Sequence, residues 1–278
     1  MEEHQQSMKQ ILIMGDSWGV PEYSLTPGEL LSDPTNVVRP KFWLDAEPNY
    51  TDGIYHTDQY LRGLGYDVYN SAQGGISNVQ AIRRAISCIK NEKLNPDLII
   101  WFHTALFRDY QHFQTKISLL KPYEQAVDDL AEAVYGKMAN FLKENNDIPF
   151  IAVGGQAPLV KHVFDKYLNP FFRVDDWRSE ILQEKLPEFQ AFGSEPMLHS
   201  WTWHPETIKK LLSISDLYRD KMTALSNSAQ IEDPLFPDGC HPGRTPHYEL
   251  TKKIHDAISW FYKNNQKHDY IKTPGNAL

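Results

Sequence analysis

Cysteine is scarce in this chain. Only Cys88 and Cys240 occur among 278 residues, too few for a disulfide framework or a zinc ligand set. They suit a reducing compartment. No stretch approaches the roughly 18 apolar residues that a membrane span needs. The first ten residues are polar, and the apolar run that follows is too short for a signal peptide. A soluble, cytoplasmic protein is therefore expected. Association with a larger assembly stays open. There is no Lys/Arg-rich run of the kind that coats phosphates, and the net charge is -8. Both argue against nucleic acid as a partner. No internal repeat or low-complexity linker divides the chain, so one domain spanning 1–278 is expected.

Against these absences stand short apolar runs of strand length. Ile11-Leu12-Ile13-Met14 leads into Gly15-Asp16-Ser17-Trp18. Tyr66 to Tyr69 reads as a second strand. Leu98-Ile99-Ile100-Trp101-Phe102 and Ile148 to Val153 read as a third and fourth. The third is apolar without alternation, as a strand covered on both faces should be.

Helical spacing lies between the strands. His56 to Leu64 is a short helix ended by Gly65. Val79, Ile82, Ala85, Ile86 and Ile89 mark a helix capped at Ser77 or Asn78. Tyr123 to Lys143 is a long amphipathic helix, and 205–226 is another. Thr245 can cap a last helix, with Pro246 at its first position and Leu250, Ile254, Ile258 and Phe261 on one face. Strands alternating with helices predict a parallel sheet with helices on both faces. A fifth strand is the least visible, and Ile231 with its neighbours is a poor candidate for it. Residues 20–55 and 156–204 read as irregular insertions, and His103 to Lys121 as a polar loop.

The motifs fall at strand ends or in a late loop. A serine at the carboxyl end of a parallel strand is a candidate nucleophile. It needs a base, and histidine titrates nearest neutral pH. Asp238-Gly239-Cys240-His241 offers a histidine with a carboxylate three residues away, although such a sequence alone is also an ordinary turn.

Taken together these stretches resemble the SGNH hydrolases, or GDSL esterase/lipase family. Gly15-Asp16-Ser17-Trp18 resembles the family's first block. Asn70-Ser71-Ala72-Gln73-Gly74-Gly75 resembles the second, and Asp238-Gly239-Cys240-His241-Pro242 the last. The resemblance implies a three-layer, flavodoxin-like α/β fold with a parallel sheet of about five strands. It implies ester hydrolysis through a Ser17 acyl-enzyme, with His241 as base and Asp238 as the carboxylate that orients it. It also implies oxyanion donors at the backbone N–H groups of Ser17 and Gly75. No cofactor or metal is implied, and the substrate is a small-molecule or glycan ester, short-chain or acetyl.

The third block departs from the family. Gly-x-Asn-Asp is usual after the third strand, and its asparagine is the third oxyanion donor. Here the chain reads His103-Thr104-Ala105-Leu106, with Ala105 in the asparagine's place. Thr104 is the first choice as a substitute, with His103 and Arg108 also near. Trp18, His103 and Arg108 are candidate substrate contacts. The departure leaves room for a catalytically weak or inactive binding protein on the same scaffold. The aromatic segment 156–204, which includes Trp177, Trp201 and Trp203, can either stack on sugar rings or anchor a core.

Overall fold

The computed structural model describes residues 9–19, 57–113, 123–155, 157–177, 180, 242 and 244–264. Five parallel strands form one sheet in the order β2-β1-β3-β4-β5. They are β1 (Gln10–Gly15), β2 (Asp67–Asn70), β3 (Leu98–His103), β4 (Phe150–Gly154) and β5 (Phe172–Val174). The register aligns apolar residues across the centre: Ile11 with Leu98, Ile13 with Ile100, and Ile100 with Ile151. Five helices accompany the sheet among the described residues. They are α1 (Thr57–Gly63), α2 (Asn78–Asn91), α3 (Tyr123–Glu144), α4 (Lys161–Tyr167) and α5 (Arg244–Asn264). Single turns at Ser17–Gly19, Leu106–Asp109 and Tyr110–Phe113 complete the set.

The sheet is covered on both sides, which explains why its strands lack polar alternation. On one face Leu12, Met14, Ile99 and Trp101 pack against Val79, Ile82 and Ala85 of α2. Leu130, Val134 and Met138 of α3 and Phe164 of α4 complete that layer. On the other face Ile11, Ile13, Ile100, Phe102 and Val153 meet Leu61 of α1 and Leu250, Ile254 and Ile258 of α5. Each buried Val, Leu, Ile, Met or Phe among them contributes roughly 1.5–3 kcal/mol by leaving water. The three layers and the strand order are those of the flavodoxin-like fold. β1 lies between β2 and β3, so consecutive connections leave it in opposite directions. That opens a crevice at the carboxyl ends of β1 and β3.

Three expectations are corrected. The fifth strand is Phe172–Val174, preceded by α4, inside a stretch expected to be irregular. It has three residues at the sheet edge and only Val174 is buried, so no apolar run announces it. The expected polar loop after β3 carries two helical turns, and Leu106 and Phe107 are buried in the core. The last helix starts at Arg244, so Thr245 lies inside it. The insertion at 20–55, the helix at 205–226 and the loop around Ile231 lie outside the described residues.

Candidate active site

β1 ends where its backbone presses on β3. Gly15 has φ +139°, and a Cβ there would stand 2.3 Å from the Phe102 carbonyl oxygen. Only glycine fits such an approach. Asp16 follows, fully buried. Its Oδ1 accepts from the Trp18 backbone N–H at 3.0 Å, and its carbonyl accepts from Gly19 N–H at 3.0 Å. These two bonds close the 3₁₀ turn that begins at Ser17. The turn stands at the carboxyl end of the second strand in the sheet order; the Ser17 side chain lies outside the described residues.

The loop after β2 runs alongside this turn. Ser71 N–H donates to Ile13 O at 2.8 Å and Gln73 N–H to Gly15 O at 3.1 Å, extending the ladder past the strand. Asn70 joins the two turns. Its Nδ2 donates to Gly19 O at 2.9 Å, while its Oδ1 accepts from Ala72 N–H at 3.0 Å. Gly75 is exposed with φ +76°, and open space surrounds the position of its missing Cβ. The backbone conformation, rather than crowding, requires glycine here. Ser77 then caps α2 reciprocally with Gln80.

The segment after β3 is held from below. His103 is buried between two partners: Nδ1 lies 3.4 Å from Ala157 O and Nε2 lies 3.4 Å from Tyr135 Oη. Tyr135 Oη accepts from Val160 N–H at 3.0 Å. Burial pushes the Tyr135 phenol above its ordinary value, so it keeps its proton. The protonated Tyr135 hydroxyl is thus placed to donate to Nε2, while Nδ1 faces Ala157 O. Thr104 is also buried. Its N–H donates to Asn78 Oδ1 at 3.0 Å, and its carbonyl accepts from Asn78 Nδ2 at 2.9 Å. Asn78 Nδ2 donates as well to Asp109 Oδ2 at 2.9 Å, and Asp109 Oδ1 accepts from Val79 N–H at 2.7 Å. Burial raises the Asp109 carboxyl to about 6, although the N–H donors around it pull the other way.

Arg108 reaches toward the first two turns. Its Nη1 lies 3.4 Å from Asp16 Oδ2 and 3.4 Å from Ile76 O. Trp18, by contrast, is fully buried, its ring edge-on to Trp177 with centroids 5.4 Å apart. Trp177 also meets His247 of α5 at 5.0 Å. The start of α5 is thereby packed beside the Ser17 turn. Asp238 and His241 lie outside the described residues, as do Trp201 and Trp203.

Ser17, Gly75, Thr104 and Arg108 thus belong to three neighbouring strand ends. Sequence reading missed Asn78, Asp109 and Tyr135 as the supports of the β3 end. Asn78 was visible only as a cap candidate, because its partners are distant in sequence. Among the described residues no group of three His, Cys, Asp or Glu is placed to hold a metal ion. None of the described helices is long and apolar enough to cross a membrane.

No protein-family model and no curated protein matches the chain. Solved structures similar to it include a protein described as a GDSL-like lipase from Parabacteroides merdae. Identity to that protein is 14%, over 90% of this chain and 95% of that one, with a TM-score of 0.38. An acetyl-xylooligosaccharide esterase from Geobacillus is 14% identical over 95% of this chain and 97% of that one, with a TM-score of 0.37. The acetyl xylan esterase AlAXEase is 13% identical over 90% of this chain and 99% of that one, with a TM-score of 0.32.

Proposed function

We propose that this chain is an SGNH-type serine hydrolase that cleaves carboxylic esters, short-chain or acetyl, of small molecules or glycans. One observation carries the reading. The turn bearing Ser17 and the loop bearing Gly75 are bonded side by side, through Asn70 Nδ2 to Gly19 O and Gln73 N–H to Gly15 O. Both stand at the carboxyl edge of a parallel sheet, where open α/β folds place their ligands.

In this reading Ser17 Oγ attacks the acyl carbon while His241 takes its proton. Asp238 holds the imidazole in the required tautomer and steadies its charge. The carbonyl oxygen becomes an alkoxide that accepts from the Ser17 and Gly75 N–H groups. Collapse breaks the bond to the alcohol, which leaves with the proton from His241. Water, activated by the same histidine, then releases the acid and restores Ser17.

The test uses purified protein with p-nitrophenyl acetate and a fluorophosphonate probe. Wild type is expected to turn over the ester and to carry the label on Ser17. Ser17→Ala is expected to do neither while keeping its melting temperature. Unlabelled wild type with no turnover would favour a binding protein on the same scaffold, a reading that Ala105 in the asparagine position supports.

A further inference from the structure

Three side chains stand at or just after the end of β3, near the place of the family's third donor, and geometry separates them. His103 is turned away from the β1 and β2 turns, into the layer of α3 and α4, with both ring nitrogens facing Tyr135 and Ala157. Thr104 is 1% exposed, and both its backbone N–H and its carbonyl are held by Asn78. Arg108 differs from both. The 3₁₀ turn Leu106–Asp109 buries Leu106, Phe107 and Asp109 but leaves the Arg108 side chain 22% exposed.

Its position is specific. Nη1 stands 3.4 Å from a carboxylate oxygen of Asp16 and 3.4 Å from the carbonyl of Ile76. Asp16 precedes Ser17 in the chain, and Ile76 follows Gly75. The guanidinium is therefore lodged between the two turns whose amides are the proposed oxyanion donors. Both contacts are long for hydrogen bonds, so they guide the group without saturating it. A guanidinium has five N–H donors, and they sit in a planar fork that suits oxygen anions.

We infer that Arg108 supplies the third oxyanion contact, in place of the asparagine that the chain lacks. The inference rests on Ser17 acting as the nucleophile. As Ser17 Oγ bonds to the acyl carbon, the carbonyl π pair moves onto oxygen, and the Ser17 proton passes to His241. The alkoxide then accepts hydrogen bonds from Ser17 N–H, Gly75 N–H and the Arg108 fork. Arg108 stays protonated throughout, since arginine does not deprotonate in proteins. A charged donor makes a stronger bond to an oxyanion than a neutral amide does. The ion pair with buried Asp16 offsets its charge at rest, which disfavours retention of the carboxylate product.

The experiment compares full-length wild type, R108Q, R108K and the double variant R108Q/D16N. Ester turnover, fluorophosphonate labelling and thermal melting are read for each. R108Q is expected to lose about 10²–10³-fold in kcat with little change in KM, as removal of an oxyanion donor does elsewhere. Its labelling at Ser17 slows in parallel, and R108K recovers part of both rates. The double variant separates donation from charge balance, because D16N removes the buried negative charge that Arg108 faces. Turnover still low in a double variant with a wild-type melting temperature supports the inference. Turnover restored together with the melting temperature overturns it, as does wild-type kcat in R108Q. Failure of the hydrolase reading looks different, because wild type itself then neither labels nor turns over.

Discussion

Trp177 stands edge-on to Trp18, with ring centroids 5.4 Å apart and planes at 79°. Trp18 is the residue after the proposed nucleophile. On its other side Trp177 meets His247, near the start of α5. One indole thus wedges between the Ser17 turn and the helix that follows the Asp238–His241 stretch. Trp177→Ala is expected to lower stability by about 3–5 kcal/mol, as loss of a large buried aromatic does. Turnover should fall further than stability explains, because the Ser17 turn and the start of α5 lose the indole that both pack against. Urea unfolding and kcat measured together decide it. An unfolding midpoint equal to wild type would remove Trp177 from this role.

The two glycines that flank the crevice should respond differently to alanine. At Gly15 both φ and space forbid a side chain, since the new Cβ would sit 2.3 Å from Phe102 O. Gly15→Ala should push β1 from β3 and yield little folded protein. At Gly75 the space is open and only φ is strained. The left-handed conformation costs an alanine roughly 1–2 kcal/mol. Gly75→Ala should therefore fold, melt somewhat lower, and lose turnover as the strained turn shifts its N–H. Circular dichroism melts of both variants test the contrast. Equal destabilisation of the two would contradict it.

Asp109 gives a pH dependence of definite sign. Its carboxyl lies raised at about 6 when folded, against an ordinary 3.8. Between those values the folded protein holds a proton that the unfolded chain has released. The stability this supplies is full below the unfolded value and disappears as pH rises through about 6. Asp109→Asn has no such titration. The stability difference, wild type minus Asp109→Asn, should therefore shift in favour of wild type as pH falls from about 7 to about 5. Denaturant midpoints at the two pH values measure it. A shift in the opposite direction, or none, would refute it.

The sequence was legible where burial on two faces left an unbroken mark. β1, β3 and β4 are such runs, and α2 and α3 show the period expected of helices with one buried face. β5 left no such mark, because an edge strand of three residues has neither length nor full burial. The turn Leu106–Asp109 was hidden for a related reason: one 3₁₀ turn is too short to show a period. At the site, the Gly-Asp-Ser turn and the Gly74-Gly75 bend were readable, since tight backbone turns restrict residue type locally. Asn78 was not, since its bonds to Thr104 span 26 residues. Arg108 was visible as a nearby cation. Its place between Asp16 and Ile76 depends on three strand ends meeting, which no local pattern encodes.

The short strand that sequence could not show has a further consequence. β5 is the last strand on its side of the sheet among the described residues, and its middle residue is Arg173. Arg173 forms ion pairs with Asp165 and Asp175. An open sheet margin is a template on which another polypeptide can add a strand. Three residues and a cluster of fixed charges make this margin a poor one. The same brevity that concealed β5 thus limits how much of a further strand this margin can pair with.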